Sequence, residues 1–383
     1  LEWALATDAL QLNHGIELSA DGRTLYASSS DNVYSWDYDA SAKTVSNRAT
    51  RITNMDNADH STRTILLSQN VPGMMVVSRG SASNIDIAAA DVTTGHSQIR
   101  AFNLDNYTGD PYDFVTDGLR LGWGLRNDVG VAEHPGNGGI YSVENSADQV
   151  SRMGVRVSED NPGESLHFFG SLSGPRNAAQ GAFFGYPWCF PAWKVEDLPN
   201  NGNLSVGSLF AVDANSALNN ENQTDRFCAQ QVPPRLVFQA HMAPLDLKFN
   251  NSGREAWITF HGSWNRAVPV GYKLSVVAFT EDGEPVDDPQ SKTAARDIFA
   301  NTDESRCPSN CFRPVGIAFD SQGRIFMSSD TSGEIYLISR ESDAQAPSPT
   351  PSETPNSAHN IKPSFWHGWA GLLYLLALGA LAI

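Results

Sequence analysis

The chain has 383 residues, with 43 acidic against 26 basic side chains and a formal net charge of -17. That balance argues against nucleic-acid binding through phosphate contacts, which needs a cationic face. Hydrophobic residues make up 40%, enough for a sizeable core, so the chain reads as globular.

The chain begins at Leu1 without Met and enters a strand pattern by Thr24. We expect a leader and part of the fold to precede it. Asp21–Gly22 leads into Thr24–Ser28 and then Asn32–Trp36. Val71–Val77, a polar turn and Ile85–Ala89 form the next unit. The third is Val129–Ala132 and Gly139–Val143, joined by the Pro, Gly and Asn-rich turn Glu133–Gly138. Ala256–Phe260 with Tyr272–Phe279, and Gly323–Met327 with Ile335–Ile338, repeat the pattern. Each unit is strand, polar turn, strand, the signature of a hairpin. The units recur at roughly 45 to 70 residues, a period of four-stranded blades stacked around an axis. We read an all-β propeller over residues 1–340, with about five blades visible, the least regular between Phe168 and Val237. Helical patterns are nearly absent.

Residues 341–364 are rich in Ser, Thr and Pro and bury no core. Residues 365–383 are apolar and carry no Lys, Arg, Asp or Glu. Small residues at Asn356–Ala358, a polar spacer and this terminus form a lipid-anchor attachment signal. A single spanning helix is the alternative. The lack of a basic stop favours cleavage and a glycosylphosphatidylinositol anchor, which puts the protein outside the cell on the membrane surface. Sequons at Asn106, Asn203, Asn222 and Asn250 suit that location. So do four cysteines, most simply paired Cys189–Cys228 and Cys307–Cys311. Zinc is the alternative, against which their wide, irregular spacing argues.

Candidate chemical residues sit at strand ends. His60 follows Asp59 and precedes Arg63; a His beside a carboxylate can be held as a neutral base, and an Arg can stabilise a nearby anion. Arg126 and Asn127 precede one strand, and Glu144, Asn145 and Asp148 follow its partner. His241, His261 and Arg313 mark other repeats. In a propeller such positions converge on one end of the central channel. Basic and aromatic residues at corresponding places imply a planar or polyanionic ligand on the axis.

Eight segments carry a resemblance: NHGIELSADGRTLYASSS from Asn13, HSTRTILLS from His60, VSRGSASNID from Val77, GLRNDVGVAEHP and YSVENSAD from Gly124 to Asp148, FGYPWC from Phe184, AHMAPLDLKF from Ala240, HGSWNRAVPVGYK from His261 and RPVGIAFDSQGRIF from Arg313. In this order the chain resembles the fungal pyrroloquinoline-quinone-dependent pyranose dehydrogenases, relatives of bacterial L-sorbosone and soluble aldose dehydrogenases. The resemblance implies a six-bladed propeller, its N-terminal blade incomplete here, with the quinone at the top of the channel and Ca²⁺ beneath it. It assigns His60 as general base and Arg63 as a cofactor-contacting partner. Arg126, Asn127, Asn145 and Arg313 are implied cofactor contacts, together with His14, His241, His261, Trp264, Asn265 and Arg266. Ca²⁺ would be held through Ser146 and Ala147 carbonyls, with Asp148 supporting the loop. The chain departs from the bacterial enzymes in carrying Ser146-Ala147 for Gly-Pro and Asn145 for Gln. HGSWNR supplies no counterpart to their cofactor-binding Lys.

The chemistry suits these residue types. A planar tricarboxylate wants Arg for carboxylate contacts and a flat surface for stacking. Ca²⁺ takes hard oxygen ligands and polarises a carbonyl. The implied activity is oxidation of a sugar at its anomeric hydroxyl, with electrons passed to a cytochrome or another extracellular acceptor. Two other readings compete: a propeller lactonase or hydrolase using metal-bound water, and a non-enzymatic carbohydrate-binding propeller at the cell surface. On the tail, phosphatidylinositol-specific phospholipase should release the protein from cells. Retention on the membrane, with Ile383 found by mass spectrometry, would establish the spanning helix instead.

Overall fold

The computed structural model describes residues 10–213 and 224–339. The Ser/Thr/Pro-rich stretch, the apolar tail and the Asn222 sequon lie outside the described residues.

Five blades surround one axis. Blade 1 consists of Ile16–Leu18, Thr24–Ser28, Val33–Asp39 and Thr44–Thr53. Blade 2 is Ile65–Leu67, Met74–Arg79, Gln98–Asn103 and Leu119–Trp123. Blade 3 is Asp128–Glu133, Gly139–Glu144, Glu164–Ser171 and Leu236–Phe238. Blade 4 is Pro244–Phe249, Glu255–Phe260, Lys273–Ala278 and Arg296–Ala300. Blade 5 is Pro314–Phe319, Ile325–Ser329 and Ile335–Ile338. The sixth blade that the resemblance implies is not formed by the described residues.

Two sequence expectations are corrected. Ile85–Ala89 is not a strand. Ile87–Ala90 is a 3-10 turn capped by Asp86, whose side chain accepts from the Ala88 amide. The strand partner of Met74–Arg79 is Gln98–Asn103. The irregular stretch from Phe168 to Val237 is not a blade of its own, because its ends belong to the third and fourth strands of blade 3. The chain between them makes an excursion. Ala182–Phe183 pairs in parallel with the outer strand of blade 2, and Cys189–Pro191 pairs with Leu209–Ala211. A short helix, Asp225–Cys228, closes it, with Cys228 bonded to Cys189. The second expected disulfide, Cys307–Cys311, is also present.

The core lies between blades. Along a strand, successive side chains point to opposite faces. Met75 and Val77 therefore pack toward blade 1, with Val33 and Ile52, while Val76 packs toward blade 3, with Val131 and Ile140. Ala256 and Ile258 join Val143 and Leu166 of blade 3, while Trp257 joins Ile317 and Met327 of blade 5. Both faces of an inner blade are buried, so its strands read as continuous apolar runs. Each such side chain stabilises the fold by about 1.5–3 kcal/mol.

Near the axis, side chains tie each blade to the next. Ser28 Oγ donates to the Arg63 carbonyl at 2.7 Å, and Thr64 Oγ1 donates to the Val129 carbonyl. Asn145 Nδ2 donates to the Pro244 carbonyl at 2.6 Å, and Thr259 Oγ1 to the Val315 carbonyl at 2.6 Å. The Ile317 amide donates to Asp246 Oδ2 at 2.8 Å. Asp246→Ala leaves that buried amide unpaired and should lower stability by about 1–3 kcal/mol, read as a lower urea midpoint. An unchanged midpoint would show that the tie contributes nothing.

Candidate functional site

In an antiparallel pair the start of the first strand and the end of the second lie together. In every blade these positions carry polar residues, and they meet at one end of the axis. Asn13 and His14 come from blade 1 and His60 from the approach to blade 2. Arg126, Asn127, Asn145, Ser146 and Asp148 come from blade 3. His241, Trp264 and Asn265 come from blade 4, and Asp330 from blade 5. Together they line a cavity of about 940 Å³ including its solvent-filled mouth.

His60 is buried, at 5% exposure. Its Nδ1 lies 2.8 Å from Ser81 Oγ and 3.1 Å from the Ser81 carbonyl. The Ser81 hydroxyl donates its own hydrogen to the Ser83 carbonyl at 2.7 Å. Nδ1 must then be the donor, which leaves the lone pair on Nε2. Burial, followed by the nearby Arg126 charge, pushes the His60 pKa down to about 3. His60 is thus a neutral imidazole with a free acceptor nitrogen. Gly80 makes room for it: a Cβ there would sit 2.6 Å from Asn127 Oδ1 and 2.7 Å from His60 Cβ.

His241 is the opposite case. Nδ1 faces Asp148 Oδ1 at 3.1 Å, and Nε2 faces the Ser158 carbonyl at 2.6 Å. Both partners can only accept, so both nitrogens donate and the ring is an imidazolium. Burial opposes this charge, but the Asp148 hydrogen bond and the Glu164 charge raise the His241 pKa. The loop holding it is strained, with His241 at φ 67° and Ala243 at φ 54°. Burial likewise works against the Asp148 carboxylate, yet His241 and Arg126 hold its pKa below the usual range.

Arg126 Nη1 donates to the Asn145 carbonyl at 3.1 Å. Asn265 Nδ2 donates to Asp148 Oδ1 at 2.6 Å. The amide oxygens of Asn13 and Asn265 have no hydrogen-bond partner, so two cavity residues offer buried acceptors. Glu164, which sequence reasoning did not single out, is a buried carboxylate against the Ser146 amide at 2.7 Å. Burial pushes its pKa up to about 7. Unpaired amide oxygens and a desolvated acid lining one cavity fit a hard cation. Among the described residues no three His, Cys, Asp or Glu side chains are placed to hold a metal, so a cation here would rely on backbone and amide oxygens, as Ca²⁺ readily does. Arg126, cationic His241 and the Asn donors fit an anionic planar group beside it.

Five predicted residues do not line this cavity. Arg63 is fully buried and donates to the carbonyls of His60 at 2.7 Å, Thr62 at 2.6 Å and Met55 at 2.6 Å. It folds back to hold the His60 loop. Arg313 donates to the carbonyls of His261 and Gly262, and His261 Nε2 lies 3.0 Å from Asp330 Oδ1. Arg266 reaches Asp160 and clamps its loop to the rim. The Ala147 side chain packs with Tyr186 and Phe190. Asn13, Glu164 and Asp330 were missed, although Asp330 and Asn13 occupy the same strand-end positions that mark the other blades.

The profile of the family described as TrAA12-like matches residues 2–341. The chain belongs to that family. A protein of Hypocrea jecorina named pyrroloquinoline quinone-dependent sugar dehydrogenase is 48% identical over 337 residues, 87% of this chain and 75% of that protein. One of Coprinopsis cinerea named pyrroloquinoline quinone-dependent pyranose dehydrogenase is 39% identical over 351 residues, 87% of this chain and 47% of that protein. The chain thus spans about three quarters of one relative and under half of the other. The calcium structure of the Trichoderma reesei family AA12 enzyme superposes with TM-score 0.81 at 50% identity, covering 85% of this chain and 80% of that one. The holo form of the Coprinopsis cinerea pyranose dehydrogenase PQQ domain gives TM-score 0.79 at 38% identity, covering 86% and 82%.

In this TrAA12-like chain Glu164 sets a pH dependence. Its folded pKa of about 7 lies above the ordinary 4.5, so its stabilising contribution is present below the ordinary value and is lost as pH rises through 7. Without added cation, Glu164→Gln should lose less melting temperature than the parent between about pH 5 and about pH 8. Parallel losses would show that Glu164 ionises freely in the fold.

Proposed function

We propose that the chain is a pyrroloquinoline-quinone-dependent sugar dehydrogenase acting at the anomeric hydroxyl. The observation that carries this reading is His60, a neutral imidazole whose Nε2 lone pair belongs to the cavity wall that also presents Arg126. The names of the relatives that share the fold over most of this chain support it.

In this reading Arg126 and Asn127 bind the anionic rim of the quinone, with His14, Asn145 and the exposed indole of Trp264 around it. Ser146, Asp148, Glu164 and the free Asn265 oxygen form the side that would hold Ca²⁺. When bound, the quinone supplies a two-electron acceptor and Ca²⁺ a Lewis acid. His60 Nε2 takes the sugar hydroxyl proton, while Nδ1 keeps its hydrogen, donated to Ser81, and holds the ring from rotating. Arg63 serves that step from behind, through the His60 carbonyl. His261, Arg266 and Arg313 shape the rim by bonding to its backbone and acids. A cytochrome or another extracellular acceptor takes the electrons, and the apolar tail anchors the enzyme at the cell surface.

Quinone titration followed by single-turnover sugar oxidation tests the division of labour. His60→Ala should keep the quinone and lose about two to four orders of magnitude in turnover. Arg126→Ala should weaken quinone binding by about one to two orders, the worth of one charge-assisted contact. Near-parental oxidation by His60→Ala would remove it as the base.

A further inference from the structure

Asn84 does not line the cavity, yet it bonds to the Arg126 guanidinium and to the backbone of Asp148, two cavity residues of blade 3. Its Oδ1 accepts from Arg126 Nη2 at 2.9 Å and from the Asp148 amide at 2.9 Å. Its Nδ2 donates to the Asp148 carbonyl at 2.7 Å. Its own carbonyl accepts from Arg126 Nε at 3.1 Å. The side chain therefore needs one acceptor and one donor at fixed positions, which only an amide supplies. A carboxylate would lack the donor, and an alkyl group would lack both.

The segment carrying Asn84 is held firmly. The Ser81 amide donates to the Arg126 carbonyl at 2.8 Å, and the Ala82 amide to Asp86 Oδ2 at 2.8 Å. Tyr186 Oη accepts from the Asp86 amide at 2.6 Å and reaches the Asn84 carbonyl at 3.2 Å. Asn84 thus ties the Arg126 guanidinium to the backbone that carries Asp148. Arg126 Nη2 lies 3.5 Å from Asp148 Oδ2, longer than the ~2.7–2.9 Å of a charge-assisted hydrogen bond. Without this tie, attraction between the two charges would draw the pair together. Asp148 meanwhile keeps Oδ1 for Asn265 at 2.6 Å and His241 at 3.1 Å. Arg126 makes three hydrogen bonds to Asn84 and Asn145, fewer than the N–H groups it offers.

We propose that Asn84 is a positioning residue that keeps Arg126 from closing onto Asp148, so that the cation stays available to an anionic group of the ligand. This rests on the reading of the cavity as the quinone site. Asn84 touches no ligand in this account; it acts through Arg126.

A double-mutant cycle tests it. Quinone titration is carried out on the parent chain, Asn84→Ala, Arg126→Ala and the double variant, with melting temperatures taken on the same cofactor-free samples. Asn84→Ala should weaken quinone binding by roughly one order of magnitude in the parent background and have no further effect once Arg126 is gone. Asn84→Asp, which loses the donor to the Asp148 carbonyl and sets its own charge against Arg126, should not recover the loss. Equal losses in both backgrounds, or parental affinity in Asn84→Ala, would overturn the proposal. If the parent chain binds no quinone, the functional reading fails, and the cycle is then read in melting temperatures. Non-additive shifts there uphold the Asn84–Arg126 coupling, and additive shifts reject it.

Discussion

The innermost strand of each blade has a sheet neighbour on one side only. Its remaining carbonyls and amides face the axis and the next blade, where an unpaired backbone group is costly. Side chains from adjoining blades take up these groups: Ser28 on Arg63, Thr64 on Val129, Asn145 on Pro244, and Thr259 and Asp246 on blade 5. Apolar packing between blades is broad and undirected, and alone would allow blades to slide. The axial hydrogen bonds set the register between neighbours. Because the polar strand ends of the cavity hang from these strands, the spacing of the site follows from the same bonds.

Burial is common to the cavity histidines, yet it leads to opposite charge states. His60 has a hydroxyl oxygen and a carbonyl on one nitrogen and nothing fixed on the other, so desolvation prevails and the ring stays neutral. His241 has a carboxylate and a carbonyl on opposite nitrogens, so its partners prevail. Acceptors on both ring nitrogens, one of them a carboxylate, decide the charge here, more than depth does. One wall can therefore present a base and a fixed cation made from the same residue type.

The propeller was readable because the hairpin units repeat, and because two-sided burial makes inner strands apolar throughout. Ile85–Ala89 misled because an apolar run in a turn capped by Asp86 looks like a short strand. His60, Arg126, Asn145 and His241 were readable as cavity residues because strand ends converge. Arg63 and Arg313 share that placement but turn their guanidinium groups onto nearby carbonyls. Position along a strand indicates where a side chain starts, not which way a long one bends. Glu164 and Asn84 were hidden for another reason. One opens the third strand of its blade, and the other sits in a loop before a cap, so neither falls in the repeating frame.

Both disulfides lie outside the blade strands that face the axis. Cys189–Cys228 pins the excursion whose Tyr186 meets the Asn84 segment. Cys307–Cys311 packs under Tyr272, and the Arg313 guanidinium lies over that ring at 5.6 Å. The covalent staples thus brace the collar of the cavity, whereas the frame is held without them. A reducing milieu would loosen the collar first and leave the barrel of blades standing, so the redox state of the surroundings bears on the shape of the opening before it bears on whether the chain is folded.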